Sequence, residues 1–485
     1  MLTQEREDFV PVSQSPIWQL VRSYYRQMGL KAWHTSAVPN YITTNPFIAS
    51  RYAKVIDGFF ADFSNSRNLY PLDNPFYILE LGAGSGRFGY CFLKQFFSEL
   101  EVSIRDNRPL VYVMTDISRA NIDFWKSHPQ LQSFIKKGQL DFAYLDVLEQ
   151  ESIKLLISGR TLAAGTIRTP MAVIANYVFD SLPNDLFEIR NGKLRALLVR
   201  CKMDLEADDI AEIAQTTQID YRAEECRKGY YGNSDWNAVL DDYGKNENNL
   251  NFAIPVGGLT AIDKMAALTT GPMFMLASDF GDSDMVSIRA LPKRRIATNG
   301  CYSVRVNFHA VSRYLDRAGR RFYAPGHSKS SLETVGLVMN AGQKNHKHLS
   351  YAFEAHIKNF GPDEFFMMKK IVERNFDSHD FQHIIALLRM SCWDAKIFNG
   401  CAPALKASLE TLDPWQKTTV IEALHNVDDM YFRCDNTADP AIWINELLLA
   451  MGEDASAQEI QHKSETYGRY IDQVNVPDRP TGDMG

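Results

Sequence analysis

Cysteine is sparse in this chain, and nothing pairs it. Seven cysteines are scattered over 485 residues, at 91, 201, 226, 301, 392, 401 and 434, with no CxxC spacing. An odd, dispersed set argues against a disulfide framework and predicts buried, reduced thiols in a cytoplasmic protein. Long apolar runs are missing too; none approaches the ~18 residues of a membrane span. The opening MLTQEREDF is acidic and polar, unlike a secretory or transit leader. A net charge of −7 gives no electrostatic case for nucleic acid or an anionic membrane as partner. Neither a G-x-x-x-x-G-K-[ST] phosphate loop nor a G-x-S-x-G nucleophile elbow occurs. What remains is ordinary globular composition, 45% hydrophobic and 23% charged, in a length that accommodates about two to four domains.

Against that plain background one stretch stands out, YILELGAGSGRFGY at 77–90. An apolar strand, Tyr77–Leu81, carries an acid at Glu80. Gly82, Gly84 and Gly86 follow, and a helix opens near Arg87. Glycines there let the backbone take positive φ and approach a ligand closely. The free N–H groups of the following helix face whatever lies over the turn. The glycines alone leave a dinucleotide open, because Gly84, Gly86 and Gly89 fit G-x-G-x-x-G.

The surrounding chain alternates strands with helices. Leu110–Asp116, Leu140–Asp146, Met171–Asn176 and Met273–Asp279 read as buried strands, and Cys301–Phe308 as the last strand. That alternation predicts a parallel sheet covered on both faces. Asn191-Gly192 predicts a hairpin after the fourth strand. Residues 1–70 read as a helical cap, with helices over 17–28 and 47–63 and a loop from His34 to Pro46. Residues 201–258 read as a lid or insertion, mobile in the Asn-rich run 244–251. From about 341 to 477 some five helices and no strand are expected, capped at Gly361-Pro362, Asp413-Pro414, Asp439-Pro440, Ser378 and Ser456. Residues 478–485 read as a disordered tail.

In an open α/β sheet, ligands bind outside the carboxyl ends of the strands. Glu80 and the glycines end the first strand. Asp116 ends the second, where a carboxylate can accept both hydroxyls of a ribose. Its distance of 30 residues from Gly86 exceeds the ~20 of the dinucleotide fold, and 101–108 account for the excess. Asp146 ends the third, and Asn176 the fourth. Asp279 and His309 stand behind as further candidates. Tyr230, Tyr231 and Trp236 could line a pocket or simply pack. His346 and His348 form an H-x-H pair, but Lys344 and Lys347 would repel a cation, so no metal is expected.

The full pattern E-x-G-x-G-x-G, Glu80 to Gly86, resembles motif I of class I S-adenosylmethionine (SAM) methyltransferases. The phrase ANYVFDSLP (175–183) resembles the MidA-like protein-arginine methyltransferases, relatives of the mitochondrial complex I assembly methyltransferase. YITTNPFIASRYAKVI (41–56) resembles that family's N-terminal segment, where a helical cap leans over the cofactor. Tyr177 stands where the family has a glutamate. The resemblance covers roughly residues 35–310. It implies a Rossmann-like seven-stranded sheet, an N-terminal helical cap and, appended here, a C-terminal all-α domain. It implies SAM as cofactor, held by Glu80, Gly82, Ala83, Gly84, Gly86, Asp116, Ile117, Asp146, Val147, Asn176 and Thr44. Asn176, Asp180 and His309 become the catalytic candidates. The methyl acceptor implied is a nitrogen of a protein, an arginine foremost. A small-molecule acceptor and a SAM-binding scaffold without catalysis are the alternatives. The C-terminal helices would then dock a protein partner, and a homodimer stays open.

Overall fold

A computed structural model describes residues 8–34, 41–64, 74–99, 109–203, 212–213, 216–291, 296–297, 301–326, 332–342, 346–374, 380–435 and 439–474. Helix α1 (Ile17–Met28) buries Ile17, Leu20, Val21 and Tyr24 and stops at Gly29, whose φ is 50°. A short helix, Tyr41–Thr44, and helix α2 (Pro46–Ser64) follow. Part of the stretch read as loop is therefore helical: Lys31–His34 closes one end and Tyr41–Thr44 the other. The rest of it, 35–40, lies outside the described residues.

The strands expected from alternation form a seven-stranded sheet. Its first half contains β1 (Phe76–Leu81), α3 (Arg87–Glu99), β2 (Leu110–Asp116), α4 (Arg119–Ser127), β3 (Leu140–Tyr144) and β4 (Met171–Asn176). A branch then leaves the sheet: β5 (Asp185–Arg190), β6 (Lys193–Lys202), β7 (Gln218–Glu225), α5 (Ser234–Asn246) and β8 (Leu250–Ile254). The chain returns through α6 (Val256–Ala267), β9 (Met273–Asp279), α7 (Phe308–Arg317), β10 (Arg321–Tyr323) and β11 (Glu333–Met339). The order across the sheet is β10-β11-β9-β4-β1-β2-β3. β1, β2, β3, β4 and β9 run parallel, and β11 runs antiparallel to β9. The order reverses between β1 and β4, which places a crevice at their carboxyl ends.

Both faces are covered, as continuous apolar strands require. Leu79, Val113, Val173 and Met275 pack with α6 and α7 on one side. Ile78, Tyr112, Ile174 and Phe274 pack on the other with Phe59 of α2 and Phe92 of α3.

Three expectations change here. Cys301–Phe308 is not a sheet strand. Val306–Asn307 pairs with Gly281–Asp282, and Ser303 makes an isolated bridge to Ala297; the alternation arises because Cys301, Tyr302, Val304 and Val306 are all buried. The closing strands are β10 and β11. Next, the run 244–251 is divided between regular elements, since α5 ends at Asn246 and β8 begins at Leu250. Around it, β5, β6, β7, β8 and the strand Val10–Pro11 form a second, five-stranded sheet. Its hairpin turns at Asn191-Gly192, with φ of 53° and 73°, as the dipeptide predicts. Third, Leu140–Asp146 is a shorter strand, and Asp146 sits in the loop after it.

Seven helices follow among the described residues: α8 (Lys347–Phe353), α9 (Pro362–Glu373), α10 (Phe381–Met390), α11 (Ala395–Ser408), α12 (Pro414–Met430), α13 (Ala441–Ala450) and α14 (Asp454–Val474). Asp413 caps α12 in a reciprocal box with Gln416. Asp380 caps α10; Ser378 lies outside the described residues. Ser456 lies inside α14, which starts two residues earlier, so it is no cap. Their core is largely their own, joined to α2 where Phe47 stacks on Phe365 at 4.2 Å. No helix among the described residues is long and apolar enough to cross a membrane.

Candidate cofactor and acceptor site

The crevice at the β1–β4 reversal opens into a cavity of about 110 Å³. Its floor is the glycine turn. Gly82, Gly84 and Gly86 all sit at positive φ, 63°, 56° and 78°, where a side chain is strained. β2 pins the turn: Ala83 N–H donates to Thr115 O and Gly84 N–H to Asp116 Oδ2, both at 2.9 Å. Gly89 has another cause. A Cβ there would lie 2.8 Å from Glu80 Oε2, so the helix packs on the acid, and the dinucleotide-like spacing loses its third ligand glycine.

Glu80 does not line the cavity. It is buried beneath the turn, accepts a hydrogen bond from the Tyr112 hydroxyl at 2.9 Å, and burial pushes its carboxyl up to about 8. Ala83 is likewise buried under the floor, and Gly84 and Gly86 shape the turn without lining the cavity.

Asp116 forms the next wall. Its Oδ1 accepts from Ser118 N–H at 2.8 Å while Oδ2 holds Gly84. Burial raises its carboxyl, against the pull of those N–H groups. Beside it, Ser118 Oγ and Asn121 Oδ1 are buried without a hydrogen-bond partner. Buried polar atoms of that kind are rare in the absence of a ligand or water to meet them. Ile117 and Asn121 line the cavity here.

Asp146 and Val147 line the third wall. Asp146 Oδ2 accepts from Arg26 at 2.8 Å, and Oδ1 accepts from Leu148 N–H at 3.1 Å. Arg26 belongs to α1, which roofs the cavity with Val21, Arg22 and Tyr25. Sequence reasoning placed the helix and its stripe but not this second face. Val21 and Tyr25 serve both faces, packing with the cluster on the second sheet and lining the cavity, and the stripe alone does not reveal the second role.

The fourth wall is Asn176, Tyr177, Val178, Ser181 and Leu182. The Tyr52 hydroxyl donates to Asn176 Oδ1 at 3.0 Å. Asn176 Nδ2 reaches Thr43 O at 3.5 Å. Tyr52 also bonds the Ser278 hydroxyl, which meets the Thr334 hydroxyl at 2.5 Å. Tyr177 holds φ of 52°, its N–H donating to Ser278 O at 2.9 Å; a bulky residue in that region marks strain of the kind that concentrates at functional sites. Next to it, Asp279 Oδ2 accepts from Phe179 N–H at 2.9 Å and Asp180 N–H at 3.2 Å. Burial raises the carboxyl of Asp180 to about 7. Asp279 is raised well above the carboxylate range by burial and by the Asp180 charge. Tyr52, Ser278 and Thr334 were not legible as site residues, since each is distant in sequence from Asn176.

Other candidates lie elsewhere. His309 starts α7 with Nδ1 2.7 Å from the Tyr243 hydroxyl, and burial lowers its basicity; it does not line the cavity. Tyr230, Tyr231 and Trp236 pack edge to face on one another and on Phe187 of the second sheet. Thr44 belongs to the short helix beside Asn176 and does not line the cavity. His346 is buried next to the Phe63 ring, as a core histidine.

A family model described as "Putative S-adenosyl-L-methionine-dependent methyltransferase" matches residues 63–319, more than half of the chain. A Burkholderia thailandensis protein solved with S-adenosyl-homocysteine (SAH) is similar at 13% identity and a TM-score of 0.43, over 71% of this chain and 90% of that one. The N-methyltransferase NodS of Bradyrhizobium japonicum WM9, solved with SAH, is similar at 9% identity and a TM-score of 0.27, over 64% and 97% of the two chains. No curated protein matches the sequence.

Proposed function

The chain belongs to the family of SAM-dependent methyltransferases, and on that premise we propose that it methylates a nitrogen of a protein, an arginine side chain foremost. The cofactor supplies a methyl group activated on a sulfonium. The residues present fit it. Asn121, which lines the cavity, has its Oδ1 buried with no partner of its own. In this reading Gly82 and its turn receive the amino-acid end, Asp116 the ribose hydroxyls, and Asp146 with Val147 the adenine. Asp146 accepts the base on an oxygen that already meets Arg26 or Leu148, which its remaining lone pairs allow.

The observation that carries the acceptor reading is Asn176. Its carboxamide reaches the cavity wall and is held by Tyr52 from a second helix. A fixed carbonyl orients an N–H acceptor, and alignment is the larger part of what catalyses a displacement. Asp180, between the cavity-lining Val178 and Ser181 in sequence, does not itself line the cavity; burial raises its carboxyl, and in this reading it would take the proton that the nitrogen loses. Asp279 holds the Asp180 backbone in place. A protein as acceptor is supported by α9, which exposes Met367, Met368 and Ile371. That helix packs against the short helix Tyr41–Thr44, whose Thr43 O meets Asn176. An apolar face beside the acceptor wall suits a polypeptide better than a small polar molecule.

The test is transfer of tritiated methyl from SAM to cell lysate. Label on a protein band that resists mild base supports an N-methyl product. Base-labile label, or label in the small-molecule extract alone, overturns the reading.

A further inference from the structure

The outer face of α3 is occupied by residues far away in sequence. Arg87, Tyr90, Cys91, Lys94 and Gln95 fall at successive three- and four-residue steps, so they form one stripe. Every one of them contacts residues 429–435, the stretch where α12 ends and the chain crosses towards α13. Arg87 donates to Cys434 Sγ at 3.2 Å and to Asp435 Oδ2 at 3.4 Å. The Tyr90 hydroxyl donates to Asp429 O at 2.7 Å, and Cys91 Sγ reaches Met430 O at 3.6 Å. Lys94 pairs with Asp429 at 2.7 Å, and Gln95 meets Met430 Sδ at 3.8 Å.

The same stretch grips the turn after α4. His128 Nε2 lies 2.9 Å from Arg433 O. Gln130 donates to Tyr431 O at 2.8 Å and accepts from Arg433 N–H at 3.0 Å. Phe432 is fully buried between Tyr90, at 5.1 Å, and His128, at 4.3 Å. Arg433 is buried as well and paired with Asp428 and Asp439. Residues 429–435 thus form a strap wedged between the two helices that start at the cofactor walls. α3 begins one residue after Gly86. α4 begins three residues after Asp116 and carries Asn121.

We infer that this strap positions the donor site: Asp435, acting through Arg87, and the main chain of 429–433, acting through Tyr90 and Gln130, hold the glycine turn and the Asp116 wall in binding register. The C-terminal helices are then a working part of cofactor binding. The inference rests on the family's cofactor and is independent of the acceptor proposed above.

The strap bonds that matter sit at the turn end of α3, and those at its far end are an internal control. Full-length Asp435→Asn/Tyr90→Phe is titrated with SAH by calorimetry, and amide exchange of residues 82–86 is followed without ligand. The expected result is a Kd for SAH raised about tenfold or more, with faster exchange at 82–86. Asp435→Glu, which keeps the charge, stays close to the native protein. Lys94→Ala lowers the melting temperature yet leaves the Kd within about twofold. Native SAH affinity in the double variant overturns the inference. So does an equal loss in Lys94→Ala, because that would be general destabilisation. Should the double variant not fold, Tyr90→Phe alone carries the same expectation and the same refutation.

Discussion

The two halves of the cavity are built in different ways. In the proposed reading the donor half, at the ends of β1, β2 and β3, is made of the glycine turn, Asp116 at the end of β2 and Asp146 in the loop after β3. In the same reading the acceptor half, at the end of β4, presents Asn176 and Tyr177, held from behind by side chains of separated segments: Tyr52 on Asn176, and Ser278 on Tyr52. A turn that must run at positive φ leaves glycines at fixed spacing. A hydrogen bond between Tyr52 and Asn176 leaves no spacing at all. The turn and Asn176 itself are therefore readable locally, whereas the contacts that hold Asn176 are assembled only by the fold.

That contrast predicts a separation of effects. The largest concerns the donor half. Asp116→Ala strips the acceptor from two backbone N–H groups and opens the glycine turn. Unsatisfied buried groups cost about 1–3 kcal/mol each, so SAH affinity measured by calorimetry should fall about 100-fold. Asn176→Ala should do the reverse: SAH affinity stays within about threefold while methyl transfer to lysate protein drops about 100-fold. If both variants lose SAH binding equally, the two halves are not distinct. Tyr52→Phe removes one hydroxyl and leaves Asn176 in place. Transfer should fall about fivefold, since one hydrogen bond is worth about 1 kcal/mol, with the Kd for SAH unchanged.

The smallest effect is a slope. Glu80 is raised from 4.5 to about 8 by burial. The folded chain therefore keeps a proton that the unfolded chain releases. Its contribution to stability is present below about 4.5 and is lost as pH rises through about 8. Thermal unfolding of Glu80→Gln should be less pH-dependent across that window than the native protein. An unchanged slope would place the ionised form of Glu80 in the fold.

The same contrast decides what could be read from the sequence. The order of strands from Tyr77 to Asp279, the Asn191-Gly192 hairpin and the glycine turn were all local, and they appear where the residues put them. Cys301–Phe308 misled because alternating burial is not membership of the main sheet; that segment pairs at Val306–Asn307 with Gly281–Asp282 and at Ser303 with Ala297. The branch over 201–258 looked like loop because β7 alternates exposed with half-buried residues and α5 is polar on one face. α1 was visible as a helix, but nothing in its sequence says that Arg26 meets Asp146, 120 residues away. The strap is the extreme case. Phe432 and Arg433 read as a connection between helices, and their role depends wholly on where α12 delivers them.

The measurement that tests this account most directly is a crystal structure of the chain with SAH bound. The account predicts the adenine against Asp146 and Val147, the ribose on Asp116, and the sulfur turned towards Asn176. SAH bound elsewhere, or bound with its sulfur away from Asn176, would contradict it.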